Sequence, residues 1–243
     1  WWDQDARSSF SINNQLYVMI GDLSYCSMGA ANLMLFNKQM IADFDFDNPY
    51  TLVRDGNWTL DELITIQKDI DRDLDNDGVW KATEDFFGVG LQPTSETATA
   101  FLASANASFC VKDGDTLMLE VSERAVGIME KLSSFCLDIK WSYINDVIND
   151  CFKVDKALFL QHKLESAGVH LRDMESDYLV LPTPKADAAQ DHYISMVSGY
   201  CTSFIGIPAT AEPEVTGYIT EVLARYSSDN MRSLAFDMVY KEK

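Results

Sequence analysis

Short apolar runs alternating with amphipathic helical stretches constrain this chain more than any other feature. The runs at residues 32–36 (NLMLF), 157–160 (ALFL) and 178–181 (YLVL) are too short for helices and apolar at successive positions, the pattern of strands covered on both faces. Residues 15–20 (QLYVMI) read as a further buried strand ending at Gly21. A loop of small and polar residues at 21–31 precedes the 32–36 strand, which hands over to a helix near Asn37. Thr59 stands three positions before Glu62, so hydroxyl and carboxylate can each satisfy a free backbone N–H at a helix start. Leu60, Leu63, Ile64 and Ile70 then mark one helical face. Ser122 precedes a second stripe of Ala125, Ile128, Met129, Leu132 and Phe135, and Pro213 precedes a third of Val215, Tyr218, Ile219, Val222, Leu223 and Tyr226. Strands that need cover and helices that supply it predict an α/β protein with helix-flanked sheets.

A chain of 243 residues, 47% hydrophobic, is long enough for one large or two modest domains around a packed core. Its net charge of -19 excludes a nucleic-acid partner, because no basic cluster can displace counterions from phosphates, and it disfavours anionic membranes. No apolar run reaches the ~18 residues of a membrane span, so no direct membrane insertion is expected of this segment. Cysteines 26, 110, 136, 151 and 201 show no C-x-x-C spacing and read as buried small hydrophobes. G-x-S-x-G, P-loop, G-x-G-x-x-G and H-E-x-x-H signatures are absent, and His162, His170 and His192 read as structural. Trp58 and Trp80 are expected to anchor the capped helix and the loop that follows it to the core.

That loop, DLDNDGVWKATE at residues 73–84, has carboxylates at positions 1, 3, 5 and 12 and glycine at position 6, the spacing of a calcium-binding loop. Alternate residues of a tight turn point inward and offer oxygens to a hard cation, while Gly78 gives the turn its backbone freedom. The expected ligands are Asp73, Asp75 and Asp77, the carbonyl of Val79, and Glu84 with both oxygens, holding calcium as a structural clasp. Lys81 stands at position 9, where a ligand or a water-holding residue is usual, and its charge should lower affinity. A calcium sensor is the less favoured reading, because sensor hands come in pairs and this loop is single.

Three stretches in order resemble the family 1 extracellular solute-binding proteins that deliver sugars to bacterial ABC importers. They are QLYVMIGDLSYCSMGAANLMLFNK, YTLVRDGNWTLDELITIQKDIDRDLDNDGVWKATEDFFG, and LVLPTPKADAAQDHY followed by GIPATAEPEVTGYITEVL. The resemblance implies a class II periplasmic-binding fold of two helix-flanked sheet lobes joined by hinge strands, with no catalytic activity. It divides the chain into the end of lobe one with the first hinge at 1–27, lobe two at 28–192, and the second hinge with part of lobe one at 193–243. It also implies that a signal peptide, a lipid-anchor cysteine, the first half of lobe one and the last crossing lie outside these residues. The expected setting is extracellular, on a cell-surface lipoprotein or in the periplasm, with ABC permease subunits as partners. The expected solute is a sugar or oligosaccharide held between the lobes, bound by aromatic faces and planar polar groups. By position, the contacts implied are Asp22 and Tyr25 in the hinge-side loop, Phe101, and Gln161 with His162 after the 157–160 strand. A carbohydrate-active enzyme is the alternative function, although no motif favours it.

Overall fold

A computed structural model of the chain describes all residues except 93, 108, 138–141, 145–146 and 239–243, and the side chains of residues 25, 137 and 142–144. In chain order the elements begin with α1 (Gln4–Phe10), β1 (Ser11–Ile12), β2 (Gln15–Leu16) and a 3₁₀ segment, Asp22–Met28. There follow β3 (Asn32–Asn37), α2 (Lys38–Asp43), α3 (Pro49–Arg54), α4 (Leu60–Lys68), β4 (Phe87–Leu91) and α5 (Ser95–Ser104). The central part continues with β5 (Cys110–Asp113), β6 (Thr116–Leu119), α6 (Glu123–Leu137), β7 (Ser142–Ile144), α7 (Ile148–Lys153) and β8 (Ala157–Lys163). The last elements are α8 (Glu165–Val169), β9 (Tyr178–Pro182), α9 (Pro213–Tyr226) and α10 (Arg232–Phe236). No described helix is long and apolar enough to cross a membrane.

The elements form two compact units, one of Trp1–Ala30, Cys110–Glu120 and Val197–Lys243, the other of Ala31–Phe109 and Val121–Met196. The second unit is built on a five-stranded mixed sheet in the order β7-β4-β8-β3-β9. Strand β4 runs parallel to β7 and β8, while β3 is antiparallel to β8 and β9. All six residues of β3 are buried. Its side chains alternate between two clusters, Met34 and Phe36 joining Trp58, Leu63, Phe101 and Phe159, and Leu33 and Leu35 joining Phe87, Phe152 and Leu160. The alternation follows from the strand period, and the double burial explains why the sequence reads as a continuous apolar run.

Helix α4 starts as expected, Thr59 Oγ1 accepting from the Glu62 N–H at 3.2 Å. Trp58 just before it is 0% exposed. Its indole N–H donates to the Pro182 carbonyl at 2.8 Å, and its ring lies 5.4 Å from that of Phe159. The last turn of α4 rests directly on β4, since a Cβ on Gly88 would sit 2.6 Å from the Cα of Gln67. Asn37 caps α2, accepting from the Met40 N–H, and Ser122 caps α6 through the Ala125 N–H. Strand β4 (FGVGL) and helix α5 escaped the sequence reading, the former because two glycines dilute its apolar signal.

The first unit contains two hairpins, β1-β2 and β5-β6, with α1, α9 and α10. Residues 15–20, expected as one buried strand, pair over only Gln15–Leu16, with a further bridge from Met19 to Ile205, and Tyr17 is exposed. The stripe on α9 does form one face, but Val215, Tyr218, Ile219, Val222, Leu223 and Tyr226 are all exposed, Tyr218 by 73%. Helical periodicity is set locally, whereas cover must come from elsewhere. The cysteines also depart from expectation, Cys26 and Cys110 being exposed. Cys151 is buried as expected, and burial pushes its thiol up to about 12.

Candidate functional site

In open α/β sheets, ligands bind outside the carboxyl ends of the strands. The parallel pair β4 and β8 ends at Leu91 and Lys163, with Leu91 level with Gln161, so the residue that follows β4, Gln92, lies beside His162. The Gln92 amide lies 2.8 Å from His162 Nε2, and His162 Nδ1 accepts from the Lys163 N–H at 2.8 Å. His162 is 3% exposed. Burial above all, with His170 and Lys163 adding to it, holds its imidazole down to about 4, so the ring is neutral at physiological pH. The His170 ring lies 5.8 Å away. Lys163 Nζ stands 3.8 Å from Glu96 and 3.4 Å from Glu165, and the other Glu96 oxygen, Oε1, is buried without a hydrogen-bond partner among the described residues. Thr97 in the first turn of α5 donates to the Gln92 carbonyl, fixing the backbone at this point.

The other expected contacts are distributed differently. Gln161, on the face of β8 opposite His162, is 2% exposed and donates to Asn32 Oδ1 at 3.0 Å. Phe101 is buried among the cluster of Trp58 and Phe159. In the first unit, Asp22 accepts from Arg232 at 2.9 Å and lines a cavity of 730 Å³ with Trp1, Trp2, Phe10, Ser24 and Phe204. The side chain of Tyr25 lies outside the described residues. Gln92, Glu96 and Lys163 were missed by the sequence reading, because the strand that positions Gln92 was itself not recognised. The apolar run ending at a glutamine before Pro93 was the available signal.

The acidic loop is closed by its own side chains. Asp75 accepts from the Asp77 N–H, Asp73 from the Gly78 N–H and Asp77 from the Val79 N–H, at 3.1, 2.8 and 2.7 Å, while Gly78 adopts φ +77°. Lys81 Nζ stands 3.1 Å from Asp75, 2.9 Å from Asp77 and 3.0 Å from Glu84, so three of the four expected carboxylates converge on one cation of the chain itself. The hydrogen bonds that Lys81 donates to these carboxylates push its amine up, and the Lys81 ammonium in turn lowers the Asp75 carboxyl. Asp73, Asp75 and Asp85 bring carboxylate oxygens within 4.8 Å of one another and could hold a divalent metal ion. Asp85, one position beyond the expected Glu84, is buried and accepts from the Leu74 and Lys81 N–H groups, pinning both arms of the loop. Asp73 Oδ1 is buried with no hydrogen-bond partner among the described residues, an oxygen that suits a cation.

Compared by sequence, the chain matches no family profile and no curated protein. Among solved structures it is similar to the maltose/maltodextrin-binding domain MalE from Bdellovibrio bacteriovorus bound to maltotriose, at TM-score 0.62 and 16% identity, over 98% of this chain and 56% of that one. It is similar to UgpB from Mycobacterium tuberculosis in complex with glycerophosphocholine at TM-score 0.61 and 11% identity, over 98% and 55%. A third similar structure is an ABC transporter solute-binding protein from Thermotoga lettingae bound with α-D-tagatose, at TM-score 0.59 and 15% identity, over 100% and 57%. The chain thus has a periplasmic-binding-protein-like α/β fold similar to that of these structures, and spans a little over half their length.

Proposed function

We propose that the chain belongs to the extracytoplasmic receptor of an ABC importer and takes part in binding a sugar or oligosaccharide, without catalysing a reaction. The observation that carries this reading is the likeness of fold over nearly the whole chain to solute-binding proteins. In it, residues 1–27 and 193–243 belong to lobe one and its hinges, and 28–192 to lobe two. Asp22 and His162 are the expected contacts carried forward, the first on an exposed ion pair and the second beside the half-buried amide of Gln92. The polar groups at the β4 and β8 ends suit hydroxyls. Lys163 stands beside Glu96 and Glu165, which leaves no surplus positive charge on it for an anion among the described residues. Calorimetric titration of a full-length version of the protein with maltotriose, tagatose, glycerophosphocholine and a tripeptide tests the reading. Binding is expected with a sugar, and selective binding of the peptide with no response to any sugar would sink it.

The acidic loop is proposed to hold calcium as a structural clasp, with Asp73, Asp75, Asp77, the Val79 carbonyl and Glu84 as ligands and Asp85 as the closing residue. The support is the loop spacing together with the unpartnered Asp73 oxygen. The Lys81 ammonium must leave the carboxylates for the ion to enter, and its flexible stem allows this. Calcium at a hundredfold excess over Kd should stabilise the folded chain by about 2.7 kcal/mol. Thermal melts in calcium against chelator should therefore differ for the parent and coincide for Asp75→Ala. Coincident melts in the parent would leave the loop as a turn closed by Lys81.

A further inference from the structure

The contacts of His162 decide more than its own protonation. A neutral imidazole has one N–H, and Nδ1 faces the Lys163 backbone N–H at 2.8 Å, which can only donate. The ring proton therefore sits on Nε2, which needs an acceptor. Its neighbour 2.8 Å away is the terminal amide of Gln92, and two N–H groups cannot bond one another. The backbone group is fixed, whereas an amide can turn about its last bond and present oxygen instead. Among the described residues His162 is the side-chain partner of Gln92, so nothing else holds the amide the other way.

We propose that His162 is a positioning residue that locks the Gln92 amide with its oxygen inward, so that the NH₂ group at the carboxyl end of β4 is a specificity-determining donor to the oxygens of a neutral polyhydroxylated solute. The proposal rests on the solute-binding reading for the contact, but not for the orientation. Four features support it. Gln92 follows directly on the end of β4 and is half-buried, so it can reach both the ring and an incoming molecule. Its backbone is held by Thr97. The charged groups around the ring, Lys163 with Glu96 and Glu165, compensate one another. His170, the remaining titratable neighbour, faces the ring at 5.8 Å and disfavours a second positive charge beside it.

The test combines histidine-selective long-range ¹⁵N NMR at pH 7 with titration of the side-chain NH₂ resonances of Gln92, using maltotriose as the sugar probe and inorganic phosphate as the anionic control. His162 is expected as the Nε2–H tautomer, with the Gln92 NH₂ resonances shifting on addition of maltotriose and not of phosphate. Gln92→Glu keeps an acceptor for His162 but removes the donor, so it should preserve the tautomer while weakening maltotriose binding at least tenfold. Gln92→Met, of similar length, should weaken binding to the same degree. A Nδ1–H tautomer overturns the proposed orientation. Gln92→Glu binding as tightly as wild type, or phosphate alone shifting the amide, overturns the proposed contact. A full-length wild-type protein that binds no sugar overturns the solute-binding reading and the contact with it, while the tautomer decides the orientation separately.

Discussion

Replacing Trp58 with alanine is expected to destabilise the second unit by about 3–5 kcal/mol, the range for truncating a fully buried large side chain. The indole is 0% exposed and fills the space against Phe159 between the start of α4 and the sheet. Its N–H is the donor to the Pro182 carbonyl at the end of β9, and that acceptor would lose its partner. The backbone around it ties distant segments together, since Lys185 N–H donates to the Trp58 carbonyl and Leu60 N–H to the Lys185 carbonyl. Trp58→Phe would retain much of the volume and lose the hydrogen bond, and should cost less than the alanine variant. Urea denaturation of the three proteins measures the difference. A loss below about 1 kcal/mol for Trp58→Ala would show that the site collapses around the gap and that this residue does not anchor α4.

Acid should destabilise the chain through His162, and the sign follows from its depressed titration. Burial and the neighbouring His170 and Lys163 hold the folded imidazole down to about 4, against 6.5 for an ordinary histidine. Between these values the unfolded chain binds the proton and the folded one does not, so stability is fully present above pH 6.5 and is lost as pH falls toward 4. At about 1.4 kcal/mol per pH unit the loss comes to about 3 kcal/mol. Glu165 faces the ring, and Glu96 is linked to it through Lys163. The comparison must therefore be made against His162→Gln. Denaturation at pH 7 and pH 4 should show a larger acid loss for the parent than for the variant, by about that amount. Equal losses would mean that the ring is protonated in the folded chain at little cost, and the neutral tautomer on which the Gln92 orientation depends would lose its support.

Local chemistry was legible in the sequence wherever neighbours in the chain settle it. The strands β3, β8 and β9, the Thr59 and Ser122 caps, and the closed turn of the acidic loop all depend on residues a few positions apart. So does the helical period of α9. Whether such an element finds cover was not legible, because that depends on surfaces brought from far along the chain. The apolar face of α9 is exposed while the equally periodic face of α6 is buried, a difference absent from either stripe taken alone. For the same reason residues 110–120 join the first unit although the second unit flanks them in sequence.

The candidate site divides in the same way. Neighbouring residues were enough to show that carboxylates crowd the loop at 73–84 and that polar residues end the strand at 157–160. Tertiary structure alone decided that Asp85 closes that loop, that Lys81 bridges three of its carboxylates, and that Gln161 bonds Asn32 while His162 meets Gln92. The last pair lies 70 positions apart and is joined only by the parallel register of β4 and β8. That register is fixed by the burial of both strands as a whole and not by any one polar pair, so a polar partner met across strands leaves no pattern along either one.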